Sequence, residues 1–147
     1  MIEKFFHTEM NWVLTLLRIT LGLVMLPHGL QKLFGWFGGF GFTATVGFFQ
    51  SQGIPVSIAL LVILAESFGA LSLIFGFATK FCAFGIGLTM IGAAIFVRSN
   101  GFFMNWFNTQ SGEGFEYHLL TIALSLVLLI EGGGALSLDL VLFEKIK

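Results

Sequence analysis

The chain has 147 residues, 56% of them hydrophobic and 10% charged, with a formal net charge of -1. Soluble domains average about 25% charged residues, so this composition excludes an ordinary soluble domain; without a cluster of Lys and Arg it also excludes a nucleic-acid surface and a polybasic lipid switch. Cys82 is the only cysteine, which excludes an intramolecular disulfide, a CxxC redox pair and a cysteine metal cage, and no metal site is expected.

The expected fold class is an all-α integral membrane protein, a four-transmembrane-helix antiparallel bundle forming one domain over residues 1–147. The first eleven residues are mixed polar and lead into an apolar run with no cleavage-like small-residue site. No removable signal peptide is expected, and the first helix should act as its own insertion signal. Crossing a hydrocarbon core of about 30 Å takes about 20 helical residues. The first such helix is predicted over 12–34, with Trp12 and Trp36 at the two interfaces. Pro27 lies inside it and predicts a kink between Leu23 and Pro27, because proline donates no N–H and crowds the preceding turn.

Residues 35–54 are rich in Gly and Phe and carry no charge. They read as an interfacial loop, with a short helix lying flat between Thr43 and Gln52. Pro55 suits the first turn of a second helix over 55–76, ended by Gly76. Glu66 stands in its middle beside Ser67, Gly69 and Ala70, small residues that let another helix approach, so Glu66 should face the bundle.

A third helix is predicted over 81–97, uncharged and bracketed by Lys80 and Arg98. Residues 99–115 form another aromatic, glycine-containing interfacial loop around Trp106. The fourth helix is predicted over 116–135, stopped by the Gly132–Gly134 run, after which Leu136, Asp139 and the tail from Lys145 to Lys147 should return to water.

Four spans put both termini on one side. Lys4, Arg18, Lys80, Lys145 and Lys147 fall there, against Lys32 and Arg98 on the other side, so the positive-inside bias predicts cytoplasmic termini.

With this topology the polar residues fall into two layers. His28, Gln31, Lys32, Arg98, Glu116, Tyr117 and His118 lie toward the outer side. His28, Gln31 and Lys32 share one helix face at i, i+3 and i+4. Glu116 and His118, two residues apart, cannot both point at them from a regular helix. Deeper lie Arg18, Glu66 and Glu131, an expected intramembrane ion-pair layer in which the Arg18 guanidinium can bridge the two carboxylates. A charge near the bilayer centre costs about 2.5–3.5 kcal/mol and normally finds a partner or water.

The segments R-x-x-L-G from Arg18, PHGLQKLFGWFGGFG, AESFGALSLIFGFATKFCA, NGFFMNW, GEGFEYHLL and GGGALSLD together resemble the DoxX family of small bacterial membrane proteins, from about Arg18 to Asp139. HGxQKLFG and GxEYxLL are the most specific parts. The resemblance implies a four-helix bundle in a bacterial cytoplasmic (inner) membrane and an association with membrane redox complexes, including quinone-linked oxidases, and with oxidative-stress defence. It marks Arg18, His28, Gln31, Lys32, Glu66, Glu116 and Tyr117 as family-type polar residues without giving any of them a catalytic role.

Three functions are compatible with these residues. The leading one is a redox-associated subunit that binds a quinone or similar lipid-like ligand between the first and fourth helices, its carbonyls met by His28, Gln31, Lys32 and Tyr117. A haem held by His28 and His118 is a disfavoured variant, because nothing else in the chain carries a haem signature. The alternatives are a small proton-linked transporter using Glu66 and Arg18, formed by a homo-oligomer, and a scaffold that docks membrane or soluble redox proteins through its phenylalanine-rich loops. No nucleophile–base pair, metal cage or nucleotide motif is visible, so no catalytic residue is assigned.

Overall fold

The computed structural model describes residues 2–146, and no strand occurs among them. Of the cations counted for orientation, Lys147 and the side chain of Lys4 lie outside the described residues. The helices are α1 (Ile2–Phe6), α2 (Trp12–Phe34), α3 (Gly41–Ser51), α4 (Val56–Phe75), α5 (Thr79–Val97), α6 (Glu116–Glu131) and α7 (Leu138–Ile146).

Three of these are long and apolar enough to cross a membrane: α2, α4 and α5 extended by a 3-10 turn to Asn100. The fourth expected span is shorter than 116–135, because α6 ends at Glu131, where Gly132 turns away at φ 88°. Asn11 starts α2 by accepting the amides of Val13 and Leu14 on its side-chain oxygen at 2.9 and 3.4 Å. The helix runs on through Pro27 to Gly35, whose φ of 74° ends it. In the segment after it, a short helix was expected between Thr43 and Gln52, and α3 covers Gly41–Ser51.

Packing is organised as two helix pairs. α2 lies along α4, and α5 lies along α6; the contacts between the pairs are sparser. The core runs through the centre, built from Leu21 and Met25 of α2, Ala70 and Leu73 of α4, Ile86 and Met90 of α5, and Leu128 of α6. Outside it the pattern of a soluble protein is inverted, with Leu16, Phe68, Phe84, Leu88 and Leu120 facing outward. Such a surface is stable only against lipid.

The end of the bundle that carries the termini is closed by a hydrogen-bonded plug, and here the structure departs from the expectation. Asp139 does not return to water. It is 2% exposed and accepts the backbone N–H groups of Ala78 and Thr79, both at 2.7 Å, capping the start of α5 from a distant part of the chain. Thr8 accepts the Gly134 amide, and the Ala135 amide donates to the Asn11 carbonyl, so both ends of the chain are tied to the base of α2. Ser137 caps α7 through the Leu140 amide.

Arg18 sits at the middle of this plug, 1% exposed. Its Nε donates to the Gly133 carbonyl at 2.9 Å, one terminal nitrogen donates to Leu73 and Ile74 at 2.6 Å each, and the other donates to Leu136 at 3.3 Å. The last turn of α4 has carbonyls without intrahelical partners and the negative end of a helix dipole, both of which favour a guanidinium. Gly76 makes room for it: at φ +69° it ends α4, and a Cβ there would meet Ser137 at 2.5 Å and the guanidinium carbon of Arg18 at 2.9 Å. The expected layer of Arg18, Glu66 and Glu131 therefore does not form. Arg18 is satisfied by carbonyls, and Glu131 is exposed at the end of α6.

Candidate functional site

Midway along α4, residues Ala65–Gly69 widen into a single π-helical turn. Such turns leave backbone groups free and re-aim side chains, which is why they concentrate at functional sites. Glu66 lies on this turn, 3% exposed, and Ser67 beside it donates its hydroxyl to the Ile63 carbonyl. Gly29 of α2 packs directly on the turn, since a Cβ at Gly29 would run into the backbone of Glu66 and Ser67. Of the small residues expected to admit a neighbouring helix, Ser67 and Ala70 do so, meeting Gly29 and Gly22 of α2, whereas a Cβ at Gly69 would meet only the Leu64 carbonyl of its own helix.

Three residues after Gly29, Lys32 reaches across and forms an ion pair with Glu66. A carboxylate buried this deeply needs a compensating charge; the partner is Lys32 of the expected outer layer, and not Arg18. The two predicted layers are thus joined through Glu66.

The Lys32–Glu66 pair also lines a cleft of about 980 Å³ between α4 and α5. Leu61, Ala65 and Phe68 form one wall, Phe81, Gly85, Leu88 and Gly92 the other, and Phe48 and Phe49 of α3 border it. Lys32 and Glu66 are the only charged residues among those that line it. An apolar cavity with one convergent polar spot is the usual form of a small-molecule site, which grips an apolar body and orients a polar head.

His28, Tyr117 and His118 form a group of their own and do not line the cleft. The rings of His28 and Tyr117 lie 6.2 Å apart and those of Tyr117 and His118 5.7 Å apart. The Tyr117 hydroxyl is 3.4 Å from Sδ of Met25, and Nδ1 of His118 is buried without a hydrogen-bond partner.

The other predicted residues stand elsewhere. Gln31 donates to the Phe37 carbonyl at 3.2 Å and ties down the turn after α2. Glu116 accepts the Met104 amide at 2.8 Å and holds the 101–115 loop, so it does not compete with His118 for one direction. Arg98 is exposed in the turn leaving α5.

Sequence reasoning missed the α4–α5 cleft and the capping role of Asp139. Within α5, Gly92 lines the cleft and has nothing within 4 Å of the place a Cβ would take. For Asp139 a signal was present in Ser137 three residues before Leu140, a helix-start pattern inside a segment read as a tail.

A family model described as DoxX matches residues 13–99. The chain is 34% identical over 129 residues, 88% of its length and 86% of the relative's, to a Bacillus subtilis (strain 168) protein named "Putative oxidoreductase CatD". It is 35% identical over 112 residues, 76% of its length and 82% of the relative's, to an Escherichia coli (strain K12) protein named "Inner membrane protein YqjF". No solved structure matches it.

Proposed function

The chain belongs to the DoxX family, and from that premise we propose that it is a redox-associated subunit of a bacterial inner membrane that binds a quinone or similar lipid-like molecule. The observation that carries this reading is the pairing of an apolar cleft of about 980 Å³ with a single ion pair on its lining, Lys32 and Glu66. A quinone has the same two parts: a tail or ring face that gains by leaving water and two carbonyl oxygens that need a donor. The Lys32 ammonium is such a donor, and Glu66 is an acceptor for the hydroxyl of a hydroquinone.

The relatives' names point in the same direction, one to an oxidoreductase and one to an inner membrane. In this reading α6 is the fourth span. Its 16 residues reach about 24 Å, and a bilayer accommodates the shortfall by local thinning. Both termini then share a side, and the cation count assigns that side to the cytoplasm. Electrons reach a quinone here from a partner redox protein. The site differs from the one expected between the first and fourth helices: it lies between α4 and α5, with Lys32 supplied by α2. A transporter that alternates Glu66 against Arg18 gains no support from a guanidinium held by four carbonyls.

The test is quinone binding to the purified full chain in lipid nanodiscs. Saturable binding is expected, and Lys32→Ala and the cleft-filling Gly92→Trp should each weaken it by about tenfold or more, equivalent to about 1.4 kcal/mol. Binding unchanged in both variants would sink the placement.

A further inference from the structure

Residues 101–115 join α5 to α6 at the end of the bundle opposite the plug, and they fold as a closed finger. At its neck the Phe115 amide donates to the Gly101 carbonyl at 3.3 Å and the Glu116 amide to the Phe102 carbonyl at 2.9 Å, so the two limbs run side by side. Gly114 permits this, because a Cβ there would run into the carbonyls of Phe102 and Phe103. Toward the tip, the Asn105 side chain accepts the Gln110 amide at 3.0 Å and donates to the Gln110 carbonyl at 3.2 Å, closing residues 105–110 into a ring. The two acidic side chains of the segment are bonded to the finger's own backbone: Glu113 accepts the Asn105 amide at 2.7 Å and Glu116 the Met104 amide at 2.8 Å.

The largest side chains left facing outward are aromatic. Phe103 is 67%, Trp106 79% and Phe107 87% exposed, and the exposed residues that follow them, Asn108 and Thr109, are uncharged. Irregular backbone can approach hydrocarbon only when its polar groups are satisfied from within, as these are. Two observations select the bilayer as the surface the tip meets. The aromatic tip continues the lipid-facing surface of the helices on either side, Ile95 and Phe96 of α5 and Leu119 and Leu120 of α6. The charges also match a phosphate layer: both carboxylates are engaged by amides, while Arg98 at the base of the finger is exposed and forms no ion pair among the described residues.

We propose that the 101–115 finger is a lipid anchor whose aromatic tip inserts below the phosphates of the leaflet opposite the termini, with Arg98 at phosphate level. Indoles settle at that boundary, and apolar faces held there sink about 5–10 Å into it. The anchor acts on α6. With 16 residues and a length of about 24 Å, α6 is short for a bilayer, and the bond from Met104 to Glu116 ties its first turn to the finger. The inserted tip therefore fixes the depth of the turn that carries Tyr117 and His118. None of this rests on the ligand proposed above.

The experiment uses the full chain, one copy per nanodisc, without quinone. Trp12→Phe/Trp36→Phe leaves Trp106 as the only indole. Its emission should be mostly lost to lipids brominated near the headgroup end of the acyl chain, much less to lipids brominated near the methyl end, and little to aqueous acrylamide. Phe107→Ser and Glu116→Ala, one weakening the tip and the other the tie, should each move Trp106 toward acrylamide. If the tryptophan-depleted chain fails to fold, an environment-sensitive fluorophore on Asn108→Cys in the Cys82→Ser chain gives the same reading. Quenching by acrylamide with none by either brominated lipid would overturn the proposal and leave the tip as a surface for a partner protein or a second copy. An unchanged depth in Glu116→Ala would overturn the tie to α6.

Discussion

Lys32 and Glu66 meet on the lining of the apolar cleft, the ammonium of one bonded to a carboxylate oxygen of the other, with the glutamate side chain 4% exposed and the lysine 26% exposed. The inequality matters. Glu66 depends on Lys32 for compensation, whereas Lys32 has access to the surroundings. Lys32→Met should therefore destabilise the protein by about 3–5 kcal/mol by stranding the carboxylate, and Lys32→Met/Glu66→Met should recover most of that loss. Unfolding of both variants in nanodiscs checks this; equal losses in single and double variants would show that the pair does not set the stability of the site.

Arg18 makes the strongest prediction about the plug. Its guanidinium serves four carbonyls on two separate segments, the end of α4 and the stretch from Gly133 to Leu136. Arg18→Met should cost on the order of 3 kcal/mol, because charge-assisted bonds are lost and the acceptors stay buried. Arg18→Lys should recover only part, since an ammonium is a point donor that cannot spread over the same acceptors. Thermal unfolding measures both, and a lysine variant as stable as the native chain would mean that charge alone, without the fork geometry, holds this end together.

Asp139 caps α5 through two amides. Asp139→Ala should cost about 1–2 kcal/mol, the range of a lost helix cap, and should raise amide hydrogen exchange at Ala78 and Thr79. If exchange there stays at the native rate, the cap is not what protects the turn.

Gly29 and Gly47 form a matched pair of alanine substitutions. At Gly29 a methyl group would strike the backbone of the π turn, whereas at Gly47 nothing lies within 4 Å. Gly29→Ala should destabilise by about 1–3 kcal/mol through overpacking and disturb the Lys32–Glu66 pair. Gly47→Ala, in the middle of α3, should be neutral or stabilising by a few tenths up to about 1 kcal/mol. A neutral Gly29→Ala, measured by unfolding, would contradict the close contact of α2 and α4.

Much of the fold was legible because the bilayer imposes a simple rule on sequence. Runs of about 20 apolar residues must be helical to satisfy their own backbone, so α2, α4 and α5 announce themselves, and Gly35 and Gly76 mark where two of them stop. The candidate site was legible only as an inventory. His28, Lys32, Glu66, Tyr117 and His118 were all singled out as polar groups in an apolar chain; Lys32 pairs with Glu66, and the rings of His28, Tyr117 and His118 lie side by side. Depth estimated along each helix could not say which would be partners, because side chains of similar depth can face different neighbours.

By itself the sequence determined an all-helical chain with membrane-crossing helices, a family, and the short set of polar residues from which any site must be drawn, since length, hydropathy and glycine punctuation are local properties. The tertiary structure alone decided the pairings. It tied Arg18 to carbonyls where carboxylates were expected, drew Asp139 and Ser137 into the plug, and opened the cleft between α4 and α5. Each of these outcomes depends on the rotation of one helix against another and on a turn of π geometry, and those are set by packing between segments far apart in the chain.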